Sequence, residues 1–157
     1  MLKFRPVKSL RKVQRGQSLV EFSLTAIIIL LILSGLLDLG RLYFIYVALE
    51  DSAGEAVLYL SINPLCRTAA DTDLSAGRDC SDPNNAEWRA RNAVGGVLDW
   101  TNATVTPIAP PALMGAGATV RVRIEYPYRL LTPLLSQIAN QINLTVEATQ
   151  TVFNDPV

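Results

Sequence analysis

At 157 residues the chain has room for one compact domain and little for a second independent core. Half of its residues are apolar and 18 % are charged, which fits a globular domain plus one membrane segment better than a disordered or nucleic-acid-binding chain. It has no His and only two cysteines, Cys66 and Cys80, so the usual zinc sets and any His-based catalytic pair are missing; the sequence calls for no metal, no cofactor and no enzyme activity.

The formal net charge of +0 conceals an asymmetry. Residues 1–16 carry Lys3, Arg5, Lys8, Arg11, Lys12 and Arg15 and no acid, which leaves 8 basic against 14 acidic residues downstream. Without that leader the net charge is −6, and the positive field that draws proteins to phosphate backbones is gone. Nucleic acid is therefore not an expected partner.

From Phe22 to Leu37 run 16 residues without a charge, rich in Ile and Leu, bounded by Glu21 and Asp38. As a helix this run rises about 24 Å, short of a hydrocarbon core of about 30 Å, so a spanning helix must borrow residues at one end. The donor lies downstream. Asp38 and Arg41 share a helix face, and Leu42 to Leu49 is again apolar, with Tyr43, Phe44 and Tyr46 suited to an interface. One helix is predicted from about Ser18 to about Leu60, ended by Asn63 and Pro64. Asp38 and Arg41 could form an intrahelical pair, pair between subunits or contact a membrane platform.

Charge sets the orientation: six basic residues precede the span, and Glu50, Asp51 and Glu55 follow it. The N-terminus is expected in the cytoplasm and the C-terminal region outside it. In that outer compartment a disulfide can persist, so Cys66 and Cys80 are expected to pair and close a loose polar loop, with a chain-entropy contribution of about 3 kcal/mol.

Downstream, Asp82-Pro83 has the form of an N-cap followed by proline at the first helical position. With Trp88, Arg91, Val94 and Leu98 at helical spacing, it predicts a second helix over about Pro83 to Trp100, weakened by Gly95 and Gly96. Strands are predicted at Ala103 to Pro107, at Thr119 to Tyr126, where Val120, Val122, Ile124 and Tyr126 form one face, and at Leu144 to Phe153. Pro107, Pro110, Pro111, Gly115 and Gly117 mark a loop between the first two, and Pro133 to Gln141 a short helical or irregular link before the third.

The most informative stretch is Gln14 to Phe22, Q-R-G-Q-S-L-V-E-F. An ordinary secretory signal places its apolar region before the cut and loses it. Here the apolar segment follows Arg15-Gly16, so a cut between Gly16 and Gln17 keeps it as an anchor. This arrangement resembles type IV prepilin leaders, in which a membrane prepilin peptidase cuts after the glycine and leaves a glutamate fifth in the mature chain; Glu21 holds that place. A carboxylate at the lip of an apolar helix is costly in lipid and needs a partner, which a neighbouring subunit's new amino terminus supplies.

A closer resemblance is to TadE-like pseudopilins, the minor pilins of tight-adherence (type IVb/type IVc-like) pilus systems. It rests on R-G-Q-S-L-V-E-F, on G-L-L-D-L-G-R-L-Y at Gly35 to Tyr43, and on A-G-E-A at Ala53 to Ala56, covering about residues 15–60. The family often has an A-R-E-G-A-R run where this chain reads A-G-E-A-V-L, so two arginines are missing, at Gly54 and Leu58. The resemblance implies a non-catalytic structural subunit, processed by a prepilin peptidase and placed in or beneath a thin pilus. Its partners would be membrane lipid, other pilin or pseudopilin subunits and the inner-membrane assembly platform.

These readings predict an α+β, pilin-like fold: a long N-terminal transmembrane and amphipathic helix packed on a small antiparallel sheet, with a second short helix. The expected divisions are a leader at 1–16, the anchor helix at 17–61 and an extracytoplasmic α+β region at 62–157. The rival expectation is a single-span envelope adaptor or sensor that is never cleaved.

Overall fold

The computed structural model describes residues 14–74, 79–109, 116–132, 136–137 and 140–153. Most of the leader, the loop residues Pro110, Pro111 and Gly115, and much of the link after Pro133 lie outside them. The order of elements is α1 (Gln14–Ile62), α2 (Ala86–Asn92), β1 (Thr104–Ile108), β2 (Thr119–Arg129) and β3 (Gln141–Thr151), with short 3-10 turns at Ala69–Leu74 and Trp100–Asn102. This is the expected α+β architecture. The chain divides into two units, Met1–Leu37 and Asp38–Val157, and α1 contributes to both.

In the second unit the core lies on one stripe of α1. Ile45, Ala48, Leu49, Ala53, Ala56, Val57 and Leu60 are buried and recur every three or four residues, the spacing that keeps side chains on one helix face. Against them stand Val120, Val122, Ile124 and Tyr128 of β2, Val105 of β1 and Val146 of β3. Their alternation with exposed Arg121, Arg123 and Glu125 is the period-2 pattern of a sheet with one dry face. The sheet order is β1-β2-β3, antiparallel throughout, with Val122 opposite Pro107 and Ala148 and with Ile124 opposite Val105 and Val146. Pro107 thus belongs to a strand and not to the loop, and it does so on an edge strand, where its missing N–H costs no ladder bond.

The end of α1 falls where Asn63-Pro64 predicts it. Phe153 N–H donates to the Ser61 carbonyl at 3.1 Å, so the segment leaving β3 satisfies one of the carbonyls that a helix end leaves open. The second helix is shorter than expected. Asn85, not Asp82, caps it: the Asn85 side-chain oxygen accepts from Trp88 N–H at 2.7 Å, while its amide donates to Asp82 at 2.7 Å and to the Cys80 carbonyl at 3.1 Å. The helix stops seven residues later, and Gly95 and Gly96 follow with φ of 59° and 83°, values that end a right-handed helix and that residues with a Cβ rarely adopt. Ala86 and Ala90 are its buried contacts with the core.

Candidate functional site

Three of the residues picked out in the sequence lie at the start of α1. Gly16 and Gln17 are in its first turns and are exposed, and Gln17 Nε2 donates to Glu21 Oε1 at 3.1 Å. The described helix runs from Gln14, so the expected scissile bond lies in helical backbone. A Cβ built on Gly16 would meet nothing within 4 Å, and its φ is not positive. Nothing in the fold itself demands glycine at this position.

Beyond Glu21 the helix surface is apolar on every side. Phe22, Leu24, every residue from Ile27 to Leu33, Leu36 and Leu37 are exposed, and none of the most apolar 18-residue window is buried. A helix apolar all round is at home in a core or a bilayer, not in water. Its two hydroxyl residues near Glu21 are turned back on the backbone: Thr25 donates to the Glu21 carbonyl at 2.8 Å and Ser23 to the Val20 carbonyl at 2.9 Å. With those bonds made, they can enter lipid without an unsatisfied donor.

Of the possibilities raised for Asp38 and Arg41, the intrahelical pair is not the one adopted. They form no ion pair with each other: the ion pairs among the described residues are Arg67–Asp71, Arg91–Glu87, Arg121–Glu147 and Arg123–Glu147. Asp38 is only 4 % exposed, and its carboxylate turns to the segment after β2, accepting from Leu131 N–H at 3.3 Å, from Thr132 N–H at 3.1 Å and from the Thr132 hydroxyl. The Tyr128 hydroxyl donates to the Asp38 carbonyl at 3.1 Å, and the Arg41 guanidinium lies 5.6 Å from the centre of the Tyr128 ring. Both α1 residues are thus committed to the exit of β2. Sequence reasoning missed Tyr128, Leu131 and Thr132. The alternation of β2 could have been followed one step further, to Tyr128, but no local spacing signals a partner for Asp38 some 90 residues away.

Cys66 and Cys80 are joined in a disulfide across a separation of 14 residues. Inside the loop, Arg67 pairs with Asp71 at 2.7 Å, and Asp71 also accepts from Thr68 N–H at 2.9 Å. Burial alone would push the Asp71 carboxyl up, but the bonds from Arg67 and Thr68 outweigh it and hold the group below its ordinary value. On the far side of the loop the Cys66 and Arg67 carbonyls accept from Ala86 and Glu87 N–H at 3.0 Å each, so the disulfide loop also anchors the start of α2.

A family model, TadE-like protein, matches residues 16–58. The chain carries a TadE-like N-terminal segment. That family is structural and not catalytic, and the match suggests a pilus-associated, pseudopilin-like protein, with an N-terminal apolar helix that fits a membrane-anchored pilus component. Gly16, Gln17, Glu21, Asp38 and Arg41 all fall within the TadE-like stretch; the sheet, the disulfide and the partners of Asp38 lie beyond it. No curated protein and no solved structure matches the chain. Of Gly54 and Leu58, Leu58 is 48 % exposed, and Gly54 is half-buried but a Cβ on it would meet nothing within 4 Å.

Proposed function

We propose that this chain is a structural pilin-like subunit, cut between Gly16 and Gln17 by a prepilin peptidase and assembled into, or at the base of, a tight-adherence or type IV-like pilus. The observation that carries the reading is the all-round apolar, unburied surface of α1 immediately after Glu21, which a cut at Gly16 would retain. Before assembly the subunit rests in the inner membrane, with residues after the span outside the cytoplasm, as the basic leader favours. On assembly the helix leaves lipid for neighbouring subunits. Lipid tails and apolar side chains are similar surroundings, so the exchange is nearly neutral and packing and polar contacts decide it.

In this reading Glu21 is the assembly group. A carboxylate at the edge of an apolar span finds its partner in the amino group that cleavage creates on a neighbour's Gln17. Asp38 and Arg41 serve assembly indirectly, by fixing the exit of β2 against the helix and thereby presenting one defined surface to the next subunit. The decisive experiment is mass spectrometry of the intact protein from its native host. A mature chain beginning at Gln17 supports the proposal, whereas a chain still beginning at Met1 in assembled material makes it an uncleaved single-span protein.

A further inference from the structure

The sheet has two edges, and they are not alike. Val152 N–H, one step beyond β3, donates to the Ala118 carbonyl at 2.8 Å, and the register runs on unbroken from Thr119 opposite Thr151 to Arg129 opposite Gln141. The N–H groups of an antiparallel strand point alternately to its two sides, so even-numbered β3 residues bond to β2, and the odd-numbered ones from Gln141 to Thr151 turn N–H and C=O outward. Pro127 of β2 fits that phase, since opposite Asn143 it owes β3 no hydrogen bond. None of the outward N–H groups of β3 donates to another described group. The β1 edge differs: its outward positions are Val105 and Pro107, and Pro107 has no N–H to offer. Proline is a common means of blunting an edge against pairing, whereas β3 is 11 residues long and has none.

A strand that completes this edge must bring its own row of outward groups, and a second β3 does so. Laid antiparallel about a two-fold axis, with Val146 facing Val146, β3 meets its copy along its whole length: Gln141 opposite Thr151, Asn143 opposite Thr149 and Thr145 opposite Glu147. Six outward N–H groups on each copy then find carbonyls, up to twelve hydrogen bonds, where an ordinary interface carries about ten. The charge pattern favours the same register. Glu147 is the one charged side chain of β3; it meets Thr145 of the copy, and Arg121 and Arg123 of its own sheet hold it. A register centred on Glu147 would instead set two carboxylates face to face, which is destabilising. On the core side, half-buried Leu144 is brought opposite the small side chain of Ala148. We propose that the β3 edge is the docking surface for a second copy of this chain, joined β3 to β3 so that two three-stranded sheets become one. The contact needs neither the cut at Gly16 nor a filament, so it goes beyond the proposed function and stands apart from it.

The test co-expresses two full-length variants, Asn143→Cys and Thr149→Cys, and oxidises the isolated membranes, with the native Cys66–Cys80 bridge left in place. In the proposed register the two positions face each other across the copies at about 5.5 Å between Cα atoms, within disulfide reach. Each is about 20 Å from its own counterpart, six residues along the strand. A cross-linked dimer about tenfold more abundant from the mixture than from either variant alone is therefore expected, because only the facing pair can bridge. Intact mass should identify it as two copies of this chain. Adding Thr145→Pro to both variants removes an outward N–H and spares the ladder to β2, so the bridge should be lost while the thermal midpoint stays unchanged. If that proline lowers the midpoint, the cysteine pair alone decides. No bridge, an equal yield from the mixture and the single variants, or a bridge that survives Thr145→Pro in a folded chain overturns the inference. So does a cross-linked mass that reveals a different protein on the edge. Dimers held through α1 alone would leave positions 143 and 149 unbridged. The start of the mature chain, read separately, tests the prepilin-type cut, and either result can fail without the other.

Discussion

The Asp38 carboxylate accepts hydrogen bonds from both the backbone N–H and the hydroxyl of Thr132, a residue 94 positions further along the chain. Asp38 follows directly on the apolar run, so the first charge after the span is spent on holding the exit of β2. Removing it leaves the N–H groups of Leu131 and Thr132 without an acceptor in a partly buried setting. Asp38→Ala is expected to cost about 1–3 kcal/mol of unfolding free energy, the usual penalty for such orphaned donors. Asp38→Asn, which keeps one acceptor oxygen, should cost less. Denaturant unfolding of the full chain in detergent, followed by the fluorescence of Trp88 and Trp100, measures both; an unchanged midpoint in Asp38→Ala would show that the contact contributes nothing.

The disulfide joins Cys66 and Cys80 across a loop that also positions the start of α2 through the Cys66 and Arg67 carbonyls. Replacing both cysteines by Ser is expected to lower stability by about 3 kcal/mol, the chain-entropy value for a loop of this size. Hydrogen exchange should localise the damage to Ala86 and Glu87, whose N–H groups those carbonyls hold. Without reductant, an alkylating reagent should label neither cysteine in the exported protein, and labelling of both is the outcome that counts against the bridge.

The Arg67–Asp71 pair gives the same loop a pH dependence whose sign is fixed. The folded Asp71 carboxyl lies below its ordinary value of 3.8, so its contribution is fully present above that value and is lost as pH falls through the lower, folded one. Slow exchange at the Thr68 N–H, which donates to Asp71, should therefore persist from neutral pH to about 5 and fade only below the ordinary aspartate range. In Asp71→Asn that acid-dependent loss should disappear. A loss centred near neutral pH instead would assign the effect to another group.

Gly54 sits inside α1 with a helical backbone and open space where a Cβ would go. Gly54→Ala should stabilise the chain by about 0.5–1 kcal/mol, the helix-propensity difference between the two residues. Gly54→Arg and Leu58→Arg, the residues that the resembled family pattern carries there, should leave the fold intact because Leu58 is exposed and a Cβ at Gly54 meets open space. Any change they bring to pilus assembly then reports on a partner; a drop in thermal midpoint for Gly54→Ala would show that the position is packed after all.

Much of the fold was legible because its signals are local. The stripe from Ile45 to Leu60, the stop at Asn63-Pro64 and the alternation of Val120, Val122 and Ile124 can each be read within a few residues. The start of α2 was misplaced because Asp82-Pro83 has the form of a cap, yet Asp82 only supports Asn85, which makes the capping bond. The role of Asp38 was hidden for a different reason. Its partners are brought to it by the return of the chain through the sheet, and a charge three residues away on the same helix face was the nearest partner the sequence could offer.

The proposed function separates two steps, cleavage at Gly16 and assembly through Glu21, and two substitutions test them independently. The fold has no use for glycine at position 16, where a Cβ would find open space, so under the proposed function any demand for glycine there comes from the peptidase. A peptidase must accept an extended backbone at the bond it cuts, and a glycine there presents no Cβ to obstruct it. Gly16→Leu should fold and insert normally but accumulate as full-length precursor, seen as an unshifted band and an intact Met1 terminus. Glu21→Gln keeps the size of the side chain and an acceptor for the Gln17 amide, while it removes the charge that attracts a neighbour's amino group. Its cleavage should continue, with the processed protein building up in the inner membrane and becoming scarce in sheared pilus fractions. Normal incorporation of Glu21→Gln would reduce the carboxylate to a simple boundary of the span, and normal maturation of Gly16→Leu would remove the basis for a prepilin-type cut.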